Sequence, residues 1–230
     1  MILTAHQPSY LPWLGLFHKV SLADEFVHLD VVQYQPEEFN NRNRIKTSRG
    51  SKWLSVPVLR RGYLNKAIID IQINNKLPWA RKHWKTIKQE YGKALYFDKY
   101  ASFFESVYSR DWNMLVDLDE NIFRWLLETL GIEIKWHRAS DYKFGGRKQD
   151  LILDLCDKFG ADTFLFGSLG KDYVDVEKFE RAGISVVFQD YKHPTYPQRH
   201  GEFLPNMSIV DLLFNCGDAS YEILMSNTAD

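Results

Sequence analysis

Apolar positions along the chain fall into two alternating patterns, and their order predicts the architecture. Short β-prone runs occur at residues 2–5, 25–30, 132–136, 163–166 and 184–188, while helical periodicity occupies 13–23, 148–159 and 172–182. Strands joined by helices of this length normally lie parallel in one sheet. The expected fold class is therefore α/β, a Rossmann-like mostly parallel sheet flanked by helices. Two more strand-like runs, 53–58 and 67–73, flank the turn-like 60–65 and read as a hairpin extension. Helical patterns at 79–91 (behind Pro78), 97–109 and 114–130 (ended by Gly131) predict a helical subdomain, 75–131, inserted between the halves of a single 1–230 domain. A last helix is expected over 208–214, with Ser208 as N-cap and Asp211 at the capping-box position.

The pattern breaks most sharply at the start, where His6, Gln7, Pro8, Tyr10, Pro12 and Trp13 follow the first strand. Two prolines fix φ and remove backbone donors, so residues 7–12 should form a rigid turn. In a parallel sheet, His6 and Asp30 then lie at the carboxyl ends of neighbouring strands, where ligands of open α/β sheets bind. An imidazole there can act as general base, acid or oxyanion donor. Gln7 offers an amide for a sugar hydroxyl or base edge, and Tyr10 and Trp13 offer either stacking faces or core. His193 follows the last strand onto the same edge, and the Pro194 after it keeps its backbone extended. Tyr196 and Gln198 repeat the aromatic and amide pairing, so His6 and His193 are expected to face one polar cleft, with Asp211 able to orient His193.

Asn41, Arg42 and Asn43 suit phosphate or carboxylate recognition. They open a stretch, 41–52, holding Arg42, Arg44, Lys46, Arg49 and Lys52 without an acid, which reads either as a phosphate-meeting patch or as a solvated loop. Lys82 and His83 are adjacent on a predicted helix and cannot share one narrow face; His83 is the one expected to reach a cleft. Gly167, Ser168 and Gly170 can offer backbone donors to phosphate, although the segment lacks a P-loop ending. No serine, cysteine or threonine sits in a nucleophile elbow. His6, His193 and Asp30 have the chemistry of zinc ligands, but no metal-ligand spacing is present and no metal is expected.

Bulk properties narrow the class. Twenty-nine Lys and Arg against 30 Asp and Glu give a net charge of -1, which argues against a general nucleic-acid binder while leaving a local basic patch open. Two cysteines without metal spacing predict neither a disulfide nor a zinc site. No run approaches the ~18 apolar residues of a membrane helix, and the first residues lack a charged segment before an apolar one, so a cytoplasmic protein without a membrane span is expected.

Five blocks in one order carry a resemblance to a known family: His6 to Gly15, Leu29 to Gln33 with Asn41 to Asn43, Trp79 with Lys82 and His83, His193 to Gln198, and Ser208 to Gly217. Together they resemble the WbqC-like protein family across nearly the whole chain. Val31 departs from the pattern by standing where a second acid is usual, leaving Asp30 as the one carboxylate there. From their chemistry and placement, His6, His193 and Asp30 are the expected catalytic residues, and Gln7, Tyr10, Trp13, Gln33, Asn41, Arg42, Asn43, His83, Tyr196 and Gln198 the expected substrate-binding ones. The resemblance implies an acyl or aminoacyl (glycyl) transferase acting on an amino sugar or nucleotide-sugar in O-antigen or other surface-polysaccharide biosynthesis. The donor would be an acyl thioester, on an acyl carrier protein for example, an aminoacyl-tRNA, or an acid activated with ATP. Two other classes stay open: an adenylate-forming or nucleotidylyltransferase-like enzyme, and a non-enzymatic binder of a glycan or nucleotide-sugar. Oligomeric state is not legible.

Overall fold

A computed structural model describes residues 1–226. The strands β1 (Ile2–His6), β2 (Glu25–His28), β5 (Lys135–Arg138), β6 (Thr163–Phe166) and β7 (Ser185–Phe188) form one parallel sheet in the order β5-β2-β1-β6-β7. This is the doubly wound α/β architecture that the alternating pattern predicts. Chain order runs outward from β1 to β2 and β5 on one side and through β6 to β7 on the other. The crevice at which that direction reverses therefore lies between the loops after β1 and β6.

Helices cover both faces. α1 (Leu14–Ser21) and α4 (Leu115–Leu130) lie on the face that carries Phe26 and His28, where Phe17, Phe26 and Phe123 stack on one another with ring centroids 5.1 to 5.5 Å apart. That core extends without a break into α2 (Trp79–Tyr91), α3 (Phe97–Ser109) and α7 (Ile209–Cys216), through Tyr91, Phe97, Phe104 and Phe214. The opposite face is thinner. Leu3, Ala5, Val27, Phe164 and Phe166 pack there against only α5 (Gln149–Phe159) and α6 (Val176–Arg181), through Leu155, Cys156 and Phe179. A final helix, α8 (Ser220–Met225), packs on α1 and α7.

Three segments differ from the sequence expectation. Residues 41–52 are not a solvated loop: β3 (Arg42–Thr47) and β4 (Gly50–Ser55) pair as an antiparallel hairpin. Residues 67–73 are not a strand. They hold the 3-10 turn Ile68–Asp70 and single bridges from Ala67 to Gln33, Gln72 to Met114 and Ile73 to Val58. Their isoleucines fill the core from irregular backbone whose donors reach Val32, Asp30 and Asn113 carbonyls one at a time. The helix expected over 172–182 likewise resolves into a 3-10 turn, Ser168–Asp172, followed by α6.

Candidate active site

β1 ends at His6, and the following turn is held from outside. Asn40 Nδ2 donates to Gln7 Oε1 (3.2 Å) and to the Pro8 carbonyl (2.8 Å), and Asn43 Nδ2 donates to the Leu11 carbonyl (2.6 Å). Leu11 adopts φ 45°, a left-handed conformation costly for leucine, which this clamp maintains. Gly15, at the start of α1, lies under the Trp13 indole, where an added Cβ would come within 2.2 Å of a ring carbon. The turn is thus pinned by the hairpin on one side and by close packing on the other.

His6 is partly buried and its Nδ1 donates to the Gln7 carbonyl at 2.8 Å. That bond fixes the tautomer and leaves Nε2 as a lone-pair acceptor. Burial first, then the Lys19 ammonium, push the His6 pKa down to about 3, so the ring is neutral throughout the physiological range. Lys19, on α1, is 5% exposed and donates to the Ala5 carbonyl at 2.9 Å; burial lowers it to about 8, near the working pH. The end of β1 therefore carries a neutral base beside a buried cation. Chemically, this arrangement can accept a proton from a bound nucleophile while a positive charge meets an oxygen that becomes negative.

Two further groups near this edge have no sequence motif to announce them. His28 pairs in register with His6 and is 1% exposed, packed among Phe26, Phe123 and Trp136, and neither ring nitrogen has a hydrogen-bond partner among the described residues. Burial, then the charges around it, lower it to about 3. Asp119 is fully buried on α4, one turn before the Phe123 that stacks on His28, and neither carboxylate oxygen has a partner among the described residues. Burial raises its pKa well above the usual carboxylate range. A signal was present for Asp119: in Leu115–Leu130 it occupies the face that also carries Leu115, Ile122 and Phe123, where a carboxylate has no packing reason to be.

The other sequence candidates are distributed as follows. Asp30 accepts from Ser140 N (2.9 Å) and Oγ (2.6 Å), with Arg138 Nε at 4.0 Å, and so ties the end of β2 to β5. His193 lies beyond β7. Its Nδ1 donates to the Pro194 carbonyl (2.8 Å), its Nε2 accepts from Asn206 N (3.1 Å), and its ring lies among Tyr191, Tyr196 and Phe203. No hydrogen bond or ring contact joins His193 to His6. Tyr191 meets His193 edge-on and, on its other side, Trp13 at the end of the opening turn. Tyr10 is fully buried, bonded to His83 Nδ1 (2.9 Å) and Tyr108 Oη (2.6 Å), and His83 also bonds the Ser55 carbonyl. Gln33 caps the Leu64 carbonyl, and Asn41 donates to the Val56 carbonyl at 2.7 Å. Arg42 bonds the Glu37 carbonyl and lies over Trp53.

Asp211 does not orient His193. It is fully buried and accepts from Tyr91 (2.6 Å), Tyr196 (3.0 Å) and Gln198 (2.7 Å), joining α2, α7 and the loop after β7. Nor does it close a capping box; Ser208 Oγ accepts from Val210 N instead. Replacing Asp211 with alanine strands the buried Tyr91 and Tyr196 hydroxyls and takes one acceptor from Gln198, which keeps the Leu204 carbonyl, and an unfolding titration in urea should show a loss of about 3 kcal/mol.

A cleft of about 420 Å³ opens beyond α4, lined by Arg110, Arg124 and Arg138 and by Asp111, Asp117 and Glu120. Its charges cancel, so it selects no anion. Among the described residues no three His, Cys, Asp or Glu side chains are grouped to hold a metal ion.

The WbqC-like protein family model matches residues 7–223. The chain belongs to the WbqC-like family. Among curated proteins it is 32% identical over 213 residues, 92% of each chain, to "Uncharacterized protein Rv1507c" of Mycobacterium tuberculosis. No solved structure matches significantly. Within the WbqC-like chain the matched span starts one residue after His6 and takes in the opening turn, the hairpin, α4 and the Asp211 network, while β1 lies before it. No helix among the described residues is long and apolar enough to cross a membrane.

Proposed function

We propose that this WbqC-like protein is an acyl or aminoacyl transferase whose acceptor is the amine of an amino sugar or nucleotide-sugar, as the family resemblance implies. The observation that carries the reading is the pairing of a tautomer-locked His6, with Nε2 open as an acceptor, and the buried Lys19 ammonium at the end of the central strand. Acyl transfer uses both. The sugar nitrogen attacks the acyl carbonyl, its N–H proton passes to His6 Nε2, and the ammonium stabilises the tetrahedral oxyanion. When that intermediate collapses, the bond to the leaving thiolate or alkoxide breaks and the proton held by His6 goes to the departing atom. The position suits this chemistry because the crevice between the loops after β1 and β6 is where doubly wound sheets bind nucleotide-bearing ligands.

The test is product formation. Purified protein is incubated with nucleotide-linked amino sugars and, in separate arms, an acyl thioester, an aminoacyl-tRNA, or the free acid with ATP, and the sugar is weighed by mass spectrometry. Mass gain by one acyl group in any arm supports the reading and names the donor. No product in any arm removes it, and pyrophosphate exchange without transfer would assign the chain to adenylate-forming chemistry instead.

A further inference from the structure

Cations and exposed rings are concentrated on the outward face of the β3–β4 hairpin. Arg42 and Arg44 both lie over the Trp53 indole, 4.4 and 5.4 Å from its centroid, and Phe39 packs against the same ring at 5.8 Å. Trp53 is 42% exposed and Phe39 41%, which leaves flat aromatic surface in solvent. The Nε atoms of both arginines are buried against this stack without a hydrogen-bond partner among the described residues. α2 passes along the other face of the hairpin: Lys52, paired with Ile45 on that inner side, donates from Nζ to Thr86 Oγ1 at 3.4 Å, and Ser48 N donates to Glu90 Oε2 at 3.1 Å. Neither Arg42 nor Arg44 has an ion-pair partner among the described residues, and the acids that precede Phe39 in the chain are Glu37 and Glu38.

We propose that this face binds a segment of single-stranded nucleic acid, with bases stacked on Trp53 and Phe39 and backbone phosphates on Arg42 and Arg44. Unpaired bases need aromatic faces and phosphates need cations, and here the two interleave within one rigid hairpin. A duplex would use the cations and leave the rings idle. The chain's net charge of -1 excludes a molecule-wide attractive field but not this local one. Asn40 and Asn43 join the hairpin to the turn after His6, so the hairpin that carries this face also holds the turn of the proposed active site. An acyl group esterified to a nucleic-acid 3′ end is the donor that placement favours. This last consequence rests on the acyl-transfer reading; the binding itself does not.

The experiment is fluorescence anisotropy with labelled short oligouridylate, oligothymidylate and a duplex of equal length, read without turnover. Both single strands should bind at low salt, more tightly than the duplex, with a log–log salt slope near −1.4 if ~2 phosphates are neutralised. R42Q/R44Q should weaken single-strand binding at least tenfold and Trp53→Ala about tenfold. Circular dichroism melting of these surface variants checks that each is folded. Absence of single-strand binding at low salt, equal affinity for duplex, or a folded Trp53→Ala protein with unchanged affinity overturns the proposal. So does retention of an acidic carrier protein, but not of the oligonucleotides, by the same face.

Discussion

Replacing His6 with alanine is expected to slow acyl transfer by about 10²- to 10⁴-fold, the contribution of a positioned general base. His6→Gln sharpens the test: its amide can accept a hydrogen bond where Nε2 stands but cannot take a proton, so it should be as slow as alanine if the imidazole acts as a base. Retention of activity within threefold of wild type in either folded variant would remove His6 from the chemistry. Lys19 supplies a second readout. Its ammonium helps hold His6 unprotonated, so Lys19→Met should raise the His6 pKa from about 3 toward the ordinary 6.5 and move the acid limb of kcat/KM to higher pH. The same variant should lower kcat/KM on the plateau because the oxyanion loses its cation. An unmoved limb with an unchanged plateau would show that Lys19 serves only to bond the Ala5 carbonyl.

Two stability effects of opposite sign are expected from the unpartnered interior groups. Burial raises the Asp119 pKa in the native state, so the native state holds its proton after the unfolded chain, near 3.8, has released it. Asp119 therefore makes its full contribution below about pH 3.8, and stability falls as pH rises toward the native pKa, by up to ~1.4 kcal/mol per pH unit. Asp119→Asn abolishes that slope, and its stability relative to wild type should climb between pH 5 and pH 7 in urea titrations. His28 runs the other way. Its pKa falls from 6.5 to about 3, so the neutral ring's contribution is complete above 6.5 and is lost as pH falls toward 3. His28→Phe keeps the stack on Phe123 and removes two unpaired nitrogens; its advantage should grow with acidification, reaching several kcal/mol near pH 4. Parallel pH profiles for wild type and either variant would show that these groups find partners in solution.

The sheet was readable because each parallel strand is a compact apolar run, and the helices between them have clean apolar stripes. The hairpin was not, because its alternation is disguised. Arg42, Arg44 and Trp53 face outward, while the inward partner of Ile45 and Leu54 is Asn43, buried only because its amide reaches the Leu11 carbonyl. A polar residue satisfied by a distant backbone breaks the two-residue period. Residues 67–73 misled in the opposite direction, since four isoleucines suit a strand, but here Ile68, Ile71 and Ile73 enter the core from a 3-10 turn and the irregular backbone after it. At the site, His6 was legible from its place after a strand and before two prolines. His28 lies inside a strand, where pattern assigns it to scaffold and only three-dimensional burial without partners separates it; Asp119 carried one signal, a carboxylate on the apolar face of its helix. Most of the motif amides, Asn40, Asn43 and Gln198 among them, spend their hydrogen bonds on backbone or on Asp211, which explains their residue type without requiring them to touch a substrate.

The unequal covering of the two sheet faces has a consequence for how the molecule breathes. Opening of α5 and α6 uncovers only the small apolar layer around Leu155, Cys156 and Phe179, whereas loosening α2, α3 or α4 breaks into the continuous core that supports the first turn. Amide protons across Gln149–Phe159 and Val176–Arg181 should therefore exchange with deuterium well ahead of those in Trp79–Tyr91 and Leu115–Leu130. Transient unfastening is thus confined to the back of the sheet, and the front can keep the opening turn in place while the rear fluctuates.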